Sequence, residues 1–309
     1  MTGLSVPSFA KINWVLKILG KRTDGYHELR TIYQTIDLGE EIIFERTSGR
    51  TIQLEVLGRA VATGEKNLLY QAADLLRTTA GLRSGVNICL KKKVPVGAGL
   101  GGGSSNAAMA LLTLNQLWGC KLPLKILVQL AAQLGSDVPF FLLGGTALGV
   151  GRGEKVLPLP DMLGSQSLVL FHPNFEVSTK KAYALGDWGI YDERQILTKE
   201  TLDTTIQRLR RAVEQRGQGW SFLENDFEDL LFKYYPVLAE ARDSLRQAGC
   251  EQVMLCGSGS SLFGLSKIKQ VKESVKAVSQ NRTGEFFFCH ILSRKNYRRI
   301  LGQSGLLLS

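Results

Sequence analysis

Pro95-Val-Gly-Ala-Gly-Leu-Gly-Gly-Gly-Ser-Ser-Asn-Ala-Ala108 places five glycines within the seven residues 97–103 and runs straight into an Ala/Leu-rich segment. Glycine reaches positive φ without penalty and lets a backbone approach a ligand closely. A helix starting directly after such a run aims its free N–H groups and the positive end of its dipole at one point. The stretch therefore has the ingredients of a site for a di- or triphosphate. A plain strand-to-helix turn needs far fewer glycines.

Three familiar glycine-loop readings fail on their neighbours. Gly97, Gly99 and Gly102 match G-x-G-x-x-G, but a dinucleotide fold needs a carboxylate about 20 residues further on. Cys120-Lys-Leu-Pro stands there instead. A P-loop needs Gly-Lys-Ser/Thr, and no lysine follows these glycines. The His-Arg-Asp and Asp-Phe-Gly triplets of protein kinases are missing from the sequence.

Working outward, 85–94 reads as a strand leading into the loop. Residues 104–118 read as a buried helix, with Ser104 at its cap and Gly119 at its end. A second helix is expected over 122–134, and Ser136-Asp137-Val138-Pro139 opens a short helical segment. Upstream, 8–19 reads as a strand. Ala10, Ile12, Trp14, Leu16 and Ile18 alternate onto one face, and Phe9, Lys11, Asn13 and Val15 onto the other. Asp24-Gly25 marks a turn, followed by strands at 29–36, 41–45 and 53–57 and a helix at 67–78.

The second half reads as strands at 167–171, 252–256, 262–265 and 285–292, with helices at 201–216, 237–248 and 268–280. Four antiparallel strands among helices predict an α/β sandwich. The Pro/Gly/Ser-rich stretch at 159–166 suggests two domains, 1–160 and 161–309.

The 309 residues carry a net charge of +10, with 44% hydrophobic and 21% charged residues. That balance suits a globular protein and argues against disorder. The basic sign fits nucleic acid, an anionic membrane surface or a polyanionic small molecule. No Asp or Glu occurs between Asp74 and Asp137, while seven lysines and arginines do. This stretch is either built to receive an anion or is a solvated cationic face. Aromatic–basic interleaving is weak, which disfavours a nucleic-acid partner. The five cysteines form no C-x-x-C pair and the three histidines are scattered, so zinc is unsupported. The apolar stretch 139–150 is short and glycine-broken, so no membrane span is expected. Free thiols and the absence of an apolar leader suggest a cytoplasmic protein. It would be a monomer or a homodimer.

The loop resembles the central motif of the GHMP kinases. Ala10-Lys-Ile-Asn13, Gly20-Lys-Arg-Thr-Asp-Gly-Tyr-His27, Leu134-Gly-Ser-Asp-Val-Pro139 and Gly257-Ser-Gly-Ser-Ser261 extend the resemblance over nearly the whole chain. Within the family they are similar to the branch that phosphorylates a cytidine-diphosphate-linked polyol. The Asp-Gly-Tyr-His segment carries most of that distinction. The resemblance implies an α+β, two-domain GHMP kinase fold. Its N-terminal part would be like ribosomal protein S5 domain 2 and its C-terminal part a ferredoxin-like α/β sandwich. Trp14 and Cys256 depart from the usual residues, and 183–220 matches poorly.

The resemblance also implies roles. ATP and Mg²⁺ would be the cofactors, and a cytidine-diphosphate small molecule the substrate, with the metal ligands left open. Lys11 and Asp137 would be catalytic. Pro95, Val96, Gly97, Ala98, Gly99, Leu100, Gly101, Gly102, Gly103, Ser104 and Ser105 would hold ATP, with Asn67 near the adenine. Asn13, Tyr26, His27, Thr179 and Tyr183 would contact the substrate. Local sequence alone reads several of these otherwise. Asp137 and Asn67 suit helix caps, Lys11 a solvent-facing strand lysine, and Tyr26-His27 ordinary hairpin residues. Ser104 and Ser105 offer hydroxyls to a phosphate or its Mg²⁺. A kinase of another small alcohol, such as homoserine or mevalonate, is the alternative, and Tyr26-His27 argues against it.

Overall fold

A computed structural model describes residues 3–161, 167–192, 207, 223–265 and 283–307. The first half is organised by two strands longer than their sequence pattern suggests. β1 (Gly3–Lys21) and β2 (His27–Thr47) form an antiparallel hairpin about the Asp24-Gly25 turn. The segments expected at 29–36 and 41–45 are one continuous strand. Gly39 reads as a break but pairs with Phe9, and a Cβ there would lie 2.9 Å from the Ser8 carbonyl oxygen. Close strand approach, not a turn, accounts for that glycine.

β2 pairs with β5 (Thr146–Gly151) along its first part and with β4 (Gly85–Lys92) along its second. β3 (Ile52–Gly58) adds to β4 in parallel, β6 (Lys155–Pro158) adds to β5, and β8 (Glu224–Asn225) adds to β1. The result is a seven-stranded sheet. β5 and β6 lie in and just beyond the apolar, glycine-broken stretch to which no strand was assigned from pattern.

Four helices cover one face of this sheet: α1 (Leu68–Thr79), α2 (Gly102–Leu117), α3 (Leu124–Leu134) and α4 (Val138–Leu143). α2 is buried nearly all round, as its composition predicts. Val6, Ile42, Phe44 and Ile88 of the sheet share a core with Ala72, Leu111, Leu130 and Phe140 of the helices.

The second sheet holds β7 (Ser167–Pro173), β9 (Gln252–Leu255), β10 (Leu262–Leu265) and β11 (Gly284–His290), ordered β11-β7-β10-β9 and antiparallel throughout. α5 (Thr179–Leu185), α6 (Glu228–Tyr234) and α7 (Pro236–Gln247) pack with it in a separate apolar cluster. The helix expected at 268–280 lies outside the described residues, as does that expected at 201–216 apart from residue 207, which is helical. Between the sheets, Ile12, Trp14 and Ile32 meet Leu168, Leu170 and Phe263. The Trp14 ring packs edge-on to Phe263 at 5.7 Å, so the large side chain fills this seam.

Two observations correct the expected layout. First, a cut at residue 160 does not separate the cores. β8 pairs with β1, and α8 (Arg294–Gln303) returns to the first half, where Tyr297 is buried and donates to the Phe141 carbonyl at 2.6 Å. Leu292, Tyr297, Leu301 and Leu306 belong to the first core. Second, the alternation along β1 is not strict. The register with β2 shifts between Asn13 and Val15, so the pleat slips at Trp14. Val15 therefore joins Ile12 and Trp14 between the sheets, and Leu16 turns to the face of Lys11 and Asn13.

One buried ion pair fixes the approach to the glycine loop. Lys92 Nζ donates to both oxygens of Glu40, at 2.7 and 2.8 Å, and both side chains are buried. The same carboxylate accepts the backbone N–H groups of Lys93 and Val94 at 3.0 Å. Breaking a buried pair strands the remaining charge. Glu40→Ala should therefore cost about 3–5 kcal/mol of folding stability, measured by urea unfolding. Adding Lys92→Met should restore much of it, and an unchanged midpoint for the single variant would contradict the assignment.

Candidate active site

The glycine run bends between the two sheets. Gly97, Gly99 and Gly101 have φ of 61°, 73° and 71°, while Ala98 and Leu100 stay at negative φ. Such alternation turns successive N–H groups toward a concavity suited to anions. A Cβ at Gly99 would overlap the Cys256 carbonyl oxygen, and one at Gly101 would lie 3.0 Å from Lys11 Cγ and from the Phe141 ring. Two of the five glycines are thus demanded by packing against the protein itself, a use the sequence reading did not separate from ligand binding.

α2 begins two residues before the predicted start. Its cap is Gly101, not Ser104, and no side chain caps it. The first intrahelical bond runs from the Ser105 N–H to the Gly101 carbonyl at 2.9 Å. The preceding N–H groups, at 102–104, have no carbonyl a turn earlier within the helix. They border a cavity of about 910 Å³, lined by residues 95–104. Ser105 departs from its expected place. It is fully buried, its hydroxyl accepts from Ser8 Oγ at 2.8 Å, and it does not line the cavity, whereas Ser104 does.

Across the cavity stands Asp137, at the N-cap of α4 but making no capping bond. Its Oδ2 lies 3.4 Å from Lys11 Nζ, and its Oδ1 accepts from the Tyr33 hydroxyl at 2.9 Å. Lys11 is 4% exposed, not solvent-facing, and donates to Asn13 Oδ1 at 2.8 Å. Asn13 Nδ2 in turn donates to Thr31 Oγ1 at 2.7 Å. The Lys11 backbone N–H donates to the Leu100 carbonyl, tying β1 to the loop. Burial, then the Asp137 charge, holds the Tyr33 hydroxyl well above its usual pKa, so it remains a donor.

The remaining expected residues line the same cavity. Asn67 does so while capping α1, accepting from the Leu69 N–H and donating to the Ala62 carbonyl. Its side chain therefore has the structural role that local sequence favoured. The Tyr26 ring is 55% exposed, His27 stacks on Tyr183 at 4.5 Å, and Thr179 Oγ1 is 3.0 Å from Ser258 Oγ. Burial, then Lys21, lowers the His27 pKa, so its ring is neutral at pH 7. The turn at 257–261 lies beside the loop: a Cβ on Gly257 would be 3.1 Å from both the Gly99 carbonyl and Lys11 Nζ.

Among the described residues, Asp137 is the only carboxylate lining this cavity, against Lys11, Lys66, Lys92, Arg152 and Lys180. That balance suits substrates bearing several negative charges. Tyr33, Thr31, Lys92, Asn106 and Arg152 were missed as lining residues. Tyr33 had a usable signal, since it faces Asn13 in the hairpin register. Among the described residues no group of three or more His, Cys, Asp or Glu is placed to hold a metal. No described helix is long and apolar enough to cross a membrane.

Two family models match the chain: the GHMP kinases N terminal domain over 67–145 and the GHMP kinases C terminal over 197–281. A 4-diphosphocytidyl-2-C-methyl-D-erythritol kinase of Pelotomaculum thermopropionicum is 40% identical over 89% of this chain and 93% of its own. The kinase of that name from Solibacter usitatus is 38% identical over 95% and 90%. A crystal structure of 4-(cytidine 5'-diphospho)-2C-methyl-D-erythritol kinase superposes with a TM-score of 0.74 at 31% identity, covering 93% of this chain and 99% of that one. A homoserine kinase structure from Cytophaga hutchinsonii, with a TM-score of 0.67 at 20% identity over 94% and 96%, shares the fold. By these matches the chain belongs to the family of 4-diphosphocytidyl-2-C-methyl-D-erythritol kinases, within the GHMP kinases.

Proposed function

We propose that this protein transfers the terminal phosphoryl group of ATP to the 2-hydroxyl of 4-diphosphocytidyl-2-C-methyl-D-erythritol, giving the 2-phosphate and ADP. The reaction serves non-mevalonate synthesis of isoprenoid precursors. One observation carries the reading: the only carboxylate that lines the cavity among the described residues, paired with a buried lysine, shares it with a bare helix N-terminus and an aromatic cluster.

Phosphoryl transfer depends on positioning and charge stabilisation more than on covalent help. The loop and the first turn of α2 take the ATP phosphates, with the hydroxyl of Ser104 alongside. Mg²⁺ would ride on those phosphates and offset their charge. The cavity fits this: Asp137 and Ser104 offer oxygen donors, and among the described residues no cluster of acids, histidines or cysteines cages a metal. Asp137 orients the acceptor hydroxyl and takes its proton as the new O–P bond forms. The bond from the γ-phosphorus to its bridging oxygen breaks, and ADP departs with that electron pair. Lys11 pairs with Asp137 and faces the charge that builds on the transferred group. Tyr33 fixes the other carboxylate oxygen. Tyr26 supplies a face for the pyrimidine, neutral His27 and Tyr183 border it, and Asn13 and Thr179 contact the polyol side.

Turnover should appear in a coupled ADP-release assay with the cytidylyl substrate and be absent with homoserine or mevalonate. The reverse pattern would overturn the assignment. Asp137→Asn should lower kcat by at least about 10²-fold with little change in thermal stability. Tyr33→Phe should lower kcat about tenfold and leave the KM for ATP nearly unchanged. Wild-type kcat in that variant would remove Tyr33 from the mechanism. Tyr26→Ala should raise the KM for the cytidylyl substrate about tenfold or more, and an unchanged KM would place the base elsewhere.

A further inference from the structure

A second cavity, of about 300 Å³, lies among α2, α3, α4 and α8 and shares no lining residue with the catalytic one. Leu112 of α2, Leu122, Leu127 of α3 and Leu142 of α4 give it apolar walls. Lys121 and Arg298 add two cations, and no Asp or Glu lines it. Among the described residues neither cation forms an ion pair.

The side-chain amides in this wall are engaged with the wall itself. Asn115 Nδ2 donates to the Leu122 carbonyl at 3.0 Å, and Asn115 Oδ1 accepts the Leu122 N–H at 2.9 Å. Gln116 repeats the pattern one residue on. Its Nε2 donates to the Gly305 carbonyl and its Oε1 accepts the Leu307 N–H, both at 2.8 Å. Two neighbouring amides of α2 thus pin two separate backbone stretches, and the cavity stands open before anything enters it. A preformed apolar hollow with a few placed polar groups is the common form of a small-molecule site. Lys121, with φ of 56°, is the only non-glycine residue at positive φ among the described residues. Glycine or asparagine takes that conformation at less cost, so backbone geometry does not account for a lysine there.

We propose that this cavity is a second ligand site, for a small free molecule with a short apolar chain and an anionic head, carboxylate or phosphate. The chain lies among the leucines, which favour it by burial. The head meets Lys121 and Arg298, whose sign selects a negative group. The volume is at the lower end of small-molecule sites, about 300–1,000 Å³, and admits one short chain. α2 carries the 102–104 amides at its start, and Leu112 stands about 15 Å further along its axis than Gly102. The ligand and the nucleotide therefore use separate parts of one helix and do not compete.

The test is titration calorimetry of the full chain with octanoate, octyl phosphate, octan-1-ol and octylamine, with and without saturating ADP. At least one of the two acids should bind, one per chain, about tenfold or more tightly than the alcohol and the amine. Hexanoate should bind about tenfold more weakly than octanoate, because it buries two fewer methylenes. Lys121→Asn combined with Arg298→Gln should weaken the acid about tenfold and leave octan-1-ol within about twofold, with thermal midpoint and turnover unchanged. Asparagine is chosen because it tolerates the backbone at that position. Saturating ADP should leave the acid's affinity within about twofold. No binding of either acid, equal binding of acid, alcohol and amine, an acid affinity untouched by the double variant, or displacement by ADP would each overturn the proposal.

Discussion

The backbone at Gly99 comes so near the carbonyl of Cys256 that no side chain fits between them. This contact decides much else. The glycine run leaves β4 on the first sheet, yet its bend rests on the β9–β10 turn of the second. The Ser261 N–H donates to the Ala98 carbonyl at 3.4 Å, and the Lys11 N–H donates to the Leu100 carbonyl at 2.9 Å. The loop is gripped from both sides before any ligand enters. Amides aimed this way need little rearrangement when charge develops, which is the condition under which fixed dipoles act best. The Glu40 carboxylate, holding Lys93 and Val94 from below, extends the same control to the entry of the loop.

Charge is arranged with comparable economy. Asp137 sits between Lys11 and Tyr33, one partner per oxygen. Either partner restricts rotation of the carboxylate, and together they set its plane relative to the cavity. Lys11 reaches this place because β1 is sandwiched between two apolar layers, which leaves its ammonium no aqueous route other than the cavity. Of the seven cations in the 62-residue span without acid, only Lys92 lines the cavity, and it is paired with Glu40, so the charge of that span lies mostly away from the site.

Much of this was legible in the chain, for identifiable reasons. The glycine run announced a sharply bent backbone leading into a helix because composition and spacing alone restrict what such a backbone can do. Lys11 and Asn13 read as an anomaly on an apolar strand, and both prove to face the cavity. Other features depend on pairing that sequence does not display. The Trp14 bulge breaks a period-two pattern that looked intact, so Leu16 was assigned to the wrong face. Ser104 seemed the natural helix cap. Glycine at 101 took that position because only a residue at positive φ reaches it, and leaving the first turn uncapped frees its amides. Ser105, one step along the helix, rotates into the core. The return of α8 to the first half depends on Tyr297 and Leu301 finding a groove made by residues some 150 positions earlier, which local periodicity cannot reveal.

The most direct test is a crystal structure of the protein with adenosine 5'-(β,γ-imido)triphosphate, Mg²⁺ and cytidine 5'-diphosphate. The account predicts phosphate oxygens within hydrogen-bond distance of the N–H groups at 102–104. It also predicts the cytosine ring against Tyr26 and Asp137 bordering the gap between the two ligands. Nucleotide phosphates bound away from the first turn of α2, with that turn closed by the protein itself, would contradict it.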